Sequence, residues 1–399
     1  MQRRRLRITG TVQGVGFRPH LHRLATDLGV SGVAGNDDVG VWCEVQGTTT
    51  QLDEFADRLV ADAPALAQID DVAVGSVESV DGEQGFRLAA SVSTGNVARA
   101  TVPADVAPCG RCLAELADPT DRRFRYPFIC CTDCGPRYTV VDALPYDRGR
   151  TSMAEFELCQ LCAAEYADPI DRRYHAQANC CADCGPTLSL TAGGVAVPGD
   201  PIEETVARLQ RGAIVAVKGV GGYQLVCLAD DEDAVARLRH RKQREEKPFA
   251  LLVESVDQAS ALVELDRRAV DALIGRHAPI VLAPRRPTSP VAEAVAPDTG
   301  LLGLMLPASP MHALLIEGVG RPLVCTSGNR SDEPIVIDDR DVDHSLGPIC
   351  DAVLGHDRRI ARRADDSIGH VMAGRFQVLR RARGLAAPVS LPGPGPTVL

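Results

Sequence analysis

The sequence predicts a multidomain α+β and α/β protein with a small sandwich head, a duplicated cysteine-rich middle and an α/β tail. Three observations carry this. Eight of the 14 cysteines fall into four CxxC pairs that divide the 399 residues into a head of about 95 and a tail of about 200. The head patterns as β-α-β-β-α-β, the order of a ferredoxin-like sandwich. In the tail, short buried strands alternate with amphipathic helices. Hydrophobic residues at 45% and charged residues at 24% fit packed cores and exclude a disordered chain. A formal charge of −10 argues against a protein that coats nucleic acid. No run of 18 apolar residues is present, so no membrane span is expected. The basic start Met1–Arg7 runs into polar Thr9–Gln13, unlike a secretory signal. A cytoplasmic protein is expected.

In the head, Arg5–Thr11 alternates as a strand and Pro19–Leu28 has helical periodicity. A strand pair follows around Gly40–Val45, then a helix over Thr50–Asp62 and strands near Val72–Val80 and Gly85–Leu88. Between the first strand and helix lies GTVQGVGFR, Gly10–Arg18. A glycine-rich strand-to-helix turn lets backbone N–H groups converge on an anion, and Arg18 just inside the helix can fork two phosphate oxygens.

The cysteines repeat. A shift of 50 residues overlays Cys109, Cys112, Cys131 and Cys134 on Cys159, Cys162, Cys181 and Cys184. It also overlays Glu115 on Glu165, Asp118-Pro119 on Asp168-Pro169, and Asp121-Arg122-Arg123 on Asp171-Arg172-Arg173. Each copy reads C-x2-C-x18-C-x2-C, the spacing of a four-cysteine Zn²⁺ site. A segment so short has too little core of its own, and two structural zinc ions would supply the missing stability. Cys130 and Cys180 sit beside the ligands, but Cys131 and Cys181 keep the two-residue gap. Ligand pairing within each copy is the simpler assumption, with exchange between copies left open. Cys43, Cys227, Cys325 and Cys350 are isolated among apolar neighbours and read as buried thiols.

The tail contains a helix over Glu203–Leu209, a strand over Ala213–Val217, a glycine turn from Lys218 to Tyr223, a charged helix over Glu232–Arg241 and a strand over Phe249–Val253. Of the 43 basic residues only Lys218, Lys242 and Lys247 are lysine. Three ammonium groups within thirty residues of an arginine-rich chain mark a place where a guanidinium would not do. With the VCTSGNRSDEP loop (Val324–Pro334) they form the hydroxyl, amide and cation set that a nucleoside triphosphate requires. His312 and His356 read as core or capped histidines. Asp365 and Asp366 read equally as turn caps or as metal or ribose contacts.

These motifs carry resemblances. GTVQGVGFR with Asn36 resembles the acylphosphatase family, which implies that Arg18 binds an acyl phosphate and Asn36 positions the attacking water. Lys242-x-Arg244 and Ser327-x-Asn329 resemble the KxR…SxN signature of the YrdC family. That resemblance implies ATP binding and acyl-adenylate formation by Lys218, Lys242, Arg244, Lys247, Ser327 and Asn329, with Thr326 and Arg383 in supporting places. Taken together, an acylphosphatase-like domain (1–92), two zinc fingers (105–190), a YrdC-like α/β domain (200–388) and a linker tail (389–399) resemble the HypF family of [NiFe]-hydrogenase maturation carbamoyltransferases. The resemblance implies that carbamoyl phosphate is hydrolysed at the head and that ATP, with Mg²⁺, converts carbamate to carbamoyl-adenylate. The carbamoyl group is then bound for the C-terminal cysteine of the partner HypE. The family continues into an actin-like-ATPase-type domain that completes the transfer, whereas this sequence stops just past Pro392–Pro396. A truncated or split product, or a separate chain supplying that domain, is the expectation. This chain by itself is expected to form carbamoyl-adenylate without carbamoylating HypE. Two other readings are a threonylcarbamoyl-adenylate synthase of tRNA modification, which leaves the head unexplained, and a finger scaffold with inactive motifs. Neither finger carries the alternating basic and aromatic residues of a base reader.

Overall fold

Strand β1 (Gln2–Thr11) is an interior strand of the head sheet, with Leu6 and Ile8 turned into its core. It starts three residues earlier than its hydrophobic alternation predicts, because Glu44 on the neighbouring strand pairs with both Arg3 (3.0 Å) and Arg5 (2.5 Å). Cross-strand ion pairs of this kind let charged residues extend a ladder. The remaining elements are α1 (Phe17–Leu28), β2 (Ser31–Asn36), β3 (Val41–Gly47), α2 (Thr49–Ala61), β4 (Gln68–Val77) and β5 (Phe86–Leu88). Their sheet order, β4-β1-β3-β2-β5, is a ferredoxin-like sheet with one extra edge strand, β5, parallel to β2. Both helices pack Leu21, Leu24, Leu52, Phe55 and Leu59 onto it. β4 begins four residues ahead of the predicted Val72. Its solvent-facing residues leave almost no alternation to read there.

This is a computed structural model, and it describes residues 1–93 and 100–386. The predicted linker tail 389–399 lies outside the described residues. The chain divides into two compact units, the head through Ala104 and a second unit spanning Asp105–Gly384. The cysteine segment and the tail therefore share one body.

In that body α3 (Gly110–Ala117) and α4 (Gln160–Ala167) each begin one residue after the first cysteine of a copy. An 11-stranded sheet follows, built from β6 (Leu188–Ala192), β7 (Val195–Ala196), β8 (Val215–Lys218), β9 (Tyr223–Leu228), β10 (Ala250–Leu252), β11 (Ile280–Pro284), β12 (Leu301–Met305), β13 (Leu323–Ser327), β14 (Ala352–His356), β15 (Ile368–Met372) and β16 (Arg375–Arg380). Helices α5 (Pro201–Gln210), α6 (Glu232–Lys242), α7 (Val256–Leu262), α8 (Arg267–Leu273), α9 (Pro310–Val319) and α10 (Val342–Ser345) accompany it. The caps are those the sequence favours: Asp200, Asp231, Ser255, Asp266 and Ser309 each accept a backbone N–H of the first turn. The central strands are apolar on both faces, with Val215, Leu225, Leu251, Leu304 and Val324 buried.

Two loops are pressed together where the glycine turn after β8 meets the segment before β15. The Ala364 N–H donates to the Gly221 carbonyl at 3.0 Å. A Cβ at Gly221 would collide with the Ala364 carbonyl and approach its Cβ to 2.8 Å. Gly300 has open space around it. Gly221→Ala is therefore expected to destabilise the second unit by about 1–3 kcal/mol and lower its melting temperature. Gly300→Ala should leave it unchanged in the same calorimetric scan.

Candidate functional site

In the head, the glycine turn and the Asn36 corner are tied by Gln13, whose side-chain N–H donates to the carbonyls of Asp37 (2.7 Å) and Gly40 (3.0 Å). Helix α1 starts from Gly16 at φ 76°, a left-handed conformation that glycine adopts without strain, and no side chain caps its first N–H groups. Arg18 is buried on its first turn and reaches Ser91 Oγ at 3.4 Å. Asn36 closes β2 at 1% exposure, its Oδ1 without a partner among the described residues and its carbonyl taken by Val92 N–H. Both residues thus meet the Ser91–Val92 segment. Asn36 is the last residue of β2, where a strand entry was the expectation.

In the second unit the sulfurs gather as two clusters, Cys109/Cys112/Cys131/Cys134 and Cys159/Cys162/Cys181/Cys184. Neighbouring Sγ atoms stand 3.8, 3.8 and 3.5 Å apart in the first and 3.8 and 3.8 Å in the second. A tetrahedron with Zn–S bonds of about 2.3 Å has an S···S edge of about 3.8 Å, so the cages fit Zn²⁺. A Cys162 backbone N–H, helped by the other cysteines, draws the Cys159 thiol down to about 7, toward the thiolate a metal needs. Cys130 and Cys180 point instead into the seam between copies, toward the carbonyls of Ala178 and Phe128.

Each copy stays with its own four cysteines but lends its arginines to the other. Arg122 Nη2 lies 3.2 Å from Cys162 Sγ, and Arg172 Nη2 lies 3.2 Å from Cys112 Sγ. Arg122 and Arg123 bind Glu165 at 2.7 and 2.5 Å, while Arg172 and Arg173 bind Glu115. Asp121 and Asp171 set up this reach by accepting the Arg123 and Arg173 backbone N–H groups, both at 2.7 Å. Burial pushes the Glu165 carboxyl up, but hydrogen bonds from Arg123 and Arg122 prevail and hold it at about 2.

The tail candidates form two knots. In the first, Lys242 at the end of α6 is 2% exposed and donates to Ser327 O (2.7 Å), Asn329 O (2.6 Å) and Asn329 Oδ1 (2.7 Å). Ser327 Oγ also donates to Asn329 Oδ1. All three ammonium donors are used, so Lys242 fixes the 327–329 loop. In the second, Lys218 at the end of β8 meets Asp339 (2.6 Å) and the His356 carbonyl (2.8 Å), and Tyr223 OH donates to the same Asp339. Arg383 pairs with Asp366 at 2.8 Å. From there a chain runs through Gln224, which donates to Asp366 (3.1 Å) and accepts from His312 Nε2 (2.7 Å). The Ala308 N–H at His312 Nδ1 selects that tautomer, and burial pulls His312 down to about 4, hence neutral.

Arg244 donates to the Lys247 and Pro248 carbonyls and lies over the Phe249 ring. Lys247 is exposed, 3.9 Å from Asp332, and Thr326 is buried in β13. The structure therefore brings Lys242, Ser327 and Asn329 into one knot and keeps Lys218 and Arg383 apart from it. Two adjoining cavities connect these places. One is lined by Ser327, His312, Asp365, Asp366 and Arg383, the other by Lys218, His356, Arg358 and Arg383, and they share Val220, Ala308 and Ser309 as well as Arg383. Sequence reading omitted Asp339, Gln224 and both histidines. Only their convergence across more than 80 residues of chain assigns them a place.

The fold and these sites define an acylphosphatase-like unit joined to a four-cysteine finger pair and a YrdC-like α/β body. Family models match in that order: Acylphosphatase over residues 4–88, the HypF finger over 109–141 and 158–191, and the Sua5, YciO and YrdC family, described as telomere recombination, over 207–382. The chain belongs to the HypF family. It is 48% identical to carbamoyltransferase HypF of Rhodobacter capsulatus over 99% of its own length and 52% of that protein, and 45% identical to carbamoyltransferase HypF of Rhizobium leguminosarum over 100% of its own length and 52% of that protein. A crystal structure of full-length HypF in a phosphate- and nucleotide-bound form superposes with a TM-score of 0.92 at 40% identity, covering 96% of this chain and 50% of that one. HypF of T. kodakarensis gives 0.89 at 35% identity, covering 97% and 50%. The chain thus spans about half the length of the relatives it matches. Among the described residues no helix is long and apolar enough to cross a membrane.

The arginine exchange makes a crossed prediction. With zinc loaded, Arg172→Gln is expected to weaken metal retention at the Cys109 cluster about 10–100-fold, and Arg122→Gln at the Cys159 cluster. Chelator-challenged zinc release, followed by the absorbance of pyridylazoresorcinol in wild type and in single-cluster cysteine variants, separates the two. Equal release from both clusters in both variants contradicts the crossing.

Proposed function

We propose that this chain carries out the activation half of carbamoyl transfer in [NiFe]-hydrogenase maturation. The observation that carries the reading is the likeness, over 96% of this chain, to a HypF structure holding phosphate and nucleotide. In this reading Asn36 orients a water whose oxygen attacks the phosphorus of carbamoyl phosphate. The bond from phosphorus to the acyl oxygen breaks, leaving carbamate and phosphate, and Arg18 with the turn amides offsets the growing charge. Carbamate then attacks the α-phosphorus of ATP, forming carbamoyl-adenylate and expelling pyrophosphate. Lys218, Arg244, Lys247, Thr326 and Arg383 serve the nucleotide and carbamate, and Lys242 holds the Ser327–Asn329 loop in position. ATP enters with Mg²⁺, which supplies charge neutralisation at the phosphates. Zinc fills the two cysteine cages. The reaction is cytoplasmic, and the carbamoyl group is destined for HypE.

The test is conversion of ATP to AMP and pyrophosphate driven by carbamoyl phosphate. Arg18→Ala is expected to lower phosphate release from carbamoyl phosphate about 100-fold or more, and Lys242→Ala to lower AMP formation while sparing phosphate release. AMP formation that needs threonine and bicarbonate in place of carbamoyl phosphate would overturn the assignment in favour of tRNA-modification chemistry.

A further inference from the structure

The cavity on the finger side of Lys218 has walls from both parts of the second unit. Asp105, Phe128 and Pro136 come from the cysteine segment, and Lys218, His356 and Arg358 come from the α/β body. It leaves about 30 Å³ for the centres of water-sized spheres, room for about two waters. That suits a molecule of about four heavy atoms. Three of its polar groups are almost fully enclosed yet incompletely satisfied. Arg358 is 6% exposed and lies over the Phe128 ring at 5.1 Å, with no hydrogen bond or ion pair to its guanidinium among the described residues. Asp105 is 3% exposed; its Oδ1 accepts from Arg137 N, Thr139 N and Thr139 Oγ1, while Oδ2 has no partner among those residues. His356 is 5% exposed with Nδ1 likewise unpartnered, and burial keeps its ring neutral.

A buried guanidinium without a carboxylate costs several kcal/mol unless something answers it. Lys218 and Arg383 already have Asp339 and Asp366. Arg358 has none. What is missing is an anion with two oxygens for the planar fork of Arg358 and one N–H or O–H for Asp105.

We infer that this cavity binds a planar one-carbon oxyanion that also carries a hydrogen-bond donor, of the carbamate and bicarbonate class. Arg358 is its cationic anchor and Asp105 the acceptor that selects for the donor. Its identification with the carbamate of the proposed reaction rests on that reading; the binding site itself does not.

Bicarbonate is a stable probe, and formate is its counterpart without the donor. In thermal-shift titrations at fixed pH and ionic strength, wild type is expected to show a saturable rise in midpoint with bicarbonate, a response at least about 10-fold weaker with formate, and none with chloride. Arg358→Gln should weaken bicarbonate binding at least about 10-fold while retaining two zinc ions per chain. Asp105→Asn, which keeps the Oδ1 acceptor, should erase the preference for bicarbonate over formate. Absence of a saturable bicarbonate response in wild type overturns the site, whatever the variants do. An Arg358→Gln or Asp105→Asn protein that responds like wild type also overturns it. Bicarbonate binding without AMP formation from carbamoyl phosphate would sink the enzymatic reading and leave the site standing; the reverse would sink the site alone.

Discussion

The exchange of arginines between the two cysteine copies is the interaction on which the second unit depends. Four thiolates around a divalent metal leave a charge of −2 in a cage that is largely buried, and such a charge must be answered nearby. Arg122 and Arg172 answer it from the opposite copy, each reaching a ligand sulfur at 3.2 Å. Each is anchored in turn by a glutamate of that opposite copy. Neither copy balances its own charge. A single copy would leave both a dianionic cage and an arginine pair unmatched, which gives the 50-residue duplication a physical reason beyond repetition.

With the copies locked together, the segment becomes a rigid wall for the α/β body. The two are stitched by backbone and side-chain bonds at well-separated points: Ala107 N to Arg276 O at 2.9 Å, Ala361 N to Thr139 O at 2.8 Å, Arg359 to Asp142 at 2.8 Å, and Thr187 N to Asp357 Oδ1 at 2.8 Å. Strand β6, just past the last cysteine, joins the sheet beside β14. The metal cages, though distant in sequence from the cation knots, therefore determine where Asp105 and Phe128 stand against Lys218 and Arg358.

How much of this was legible depends on the range of the signal. The cysteine cages were legible because four ligands in two CxxC turns are a local pattern, and the repeat displayed Glu115/Glu165 and the paired arginines in register. Their crossing was not, since a shift of 50 residues says which residues correspond and not which copy they touch. The ferredoxin-like order could be read from periodicity except at β2 (Ser31–Asn36), which lies ahead of the strand pair expected around Gly40–Val45, and at β4, where exposure removes alternation. The lysine census also carried real information. Lys242 meets three carbonyl oxygens in a tripod, a geometry that suits an ammonium and defeats a planar guanidinium. It could not separate that buried, fully bonded lysine from exposed Lys247. Asp339, Gln224, His312 and His356 stayed hidden because their partners lie 88 to 142 residues away in the chain; in the sequence each is an ordinary polar residue beside a strand or helix end.

The two cavities differ in how their charges are met. Around the Ser327 cavity Arg383, Asp366, Gln224 and a neutral His312 form a connected sequence and Asp365 pairs with Arg380 at 3.0 Å, so that space is polar but electrostatically balanced. On the other side of Val220 and Ser309, Arg358 has no ion pair among the described residues, and the Asp105 carboxylate lines the same cavity. The inferred anion site therefore lies on the finger side. At the Lys242 end, Lys247 is exposed and Arg244 is half-buried. Arg383 lines both spaces and is held by Asp366 in each. A wall residue whose charge is already compensated can separate two anionic guests without trapping either.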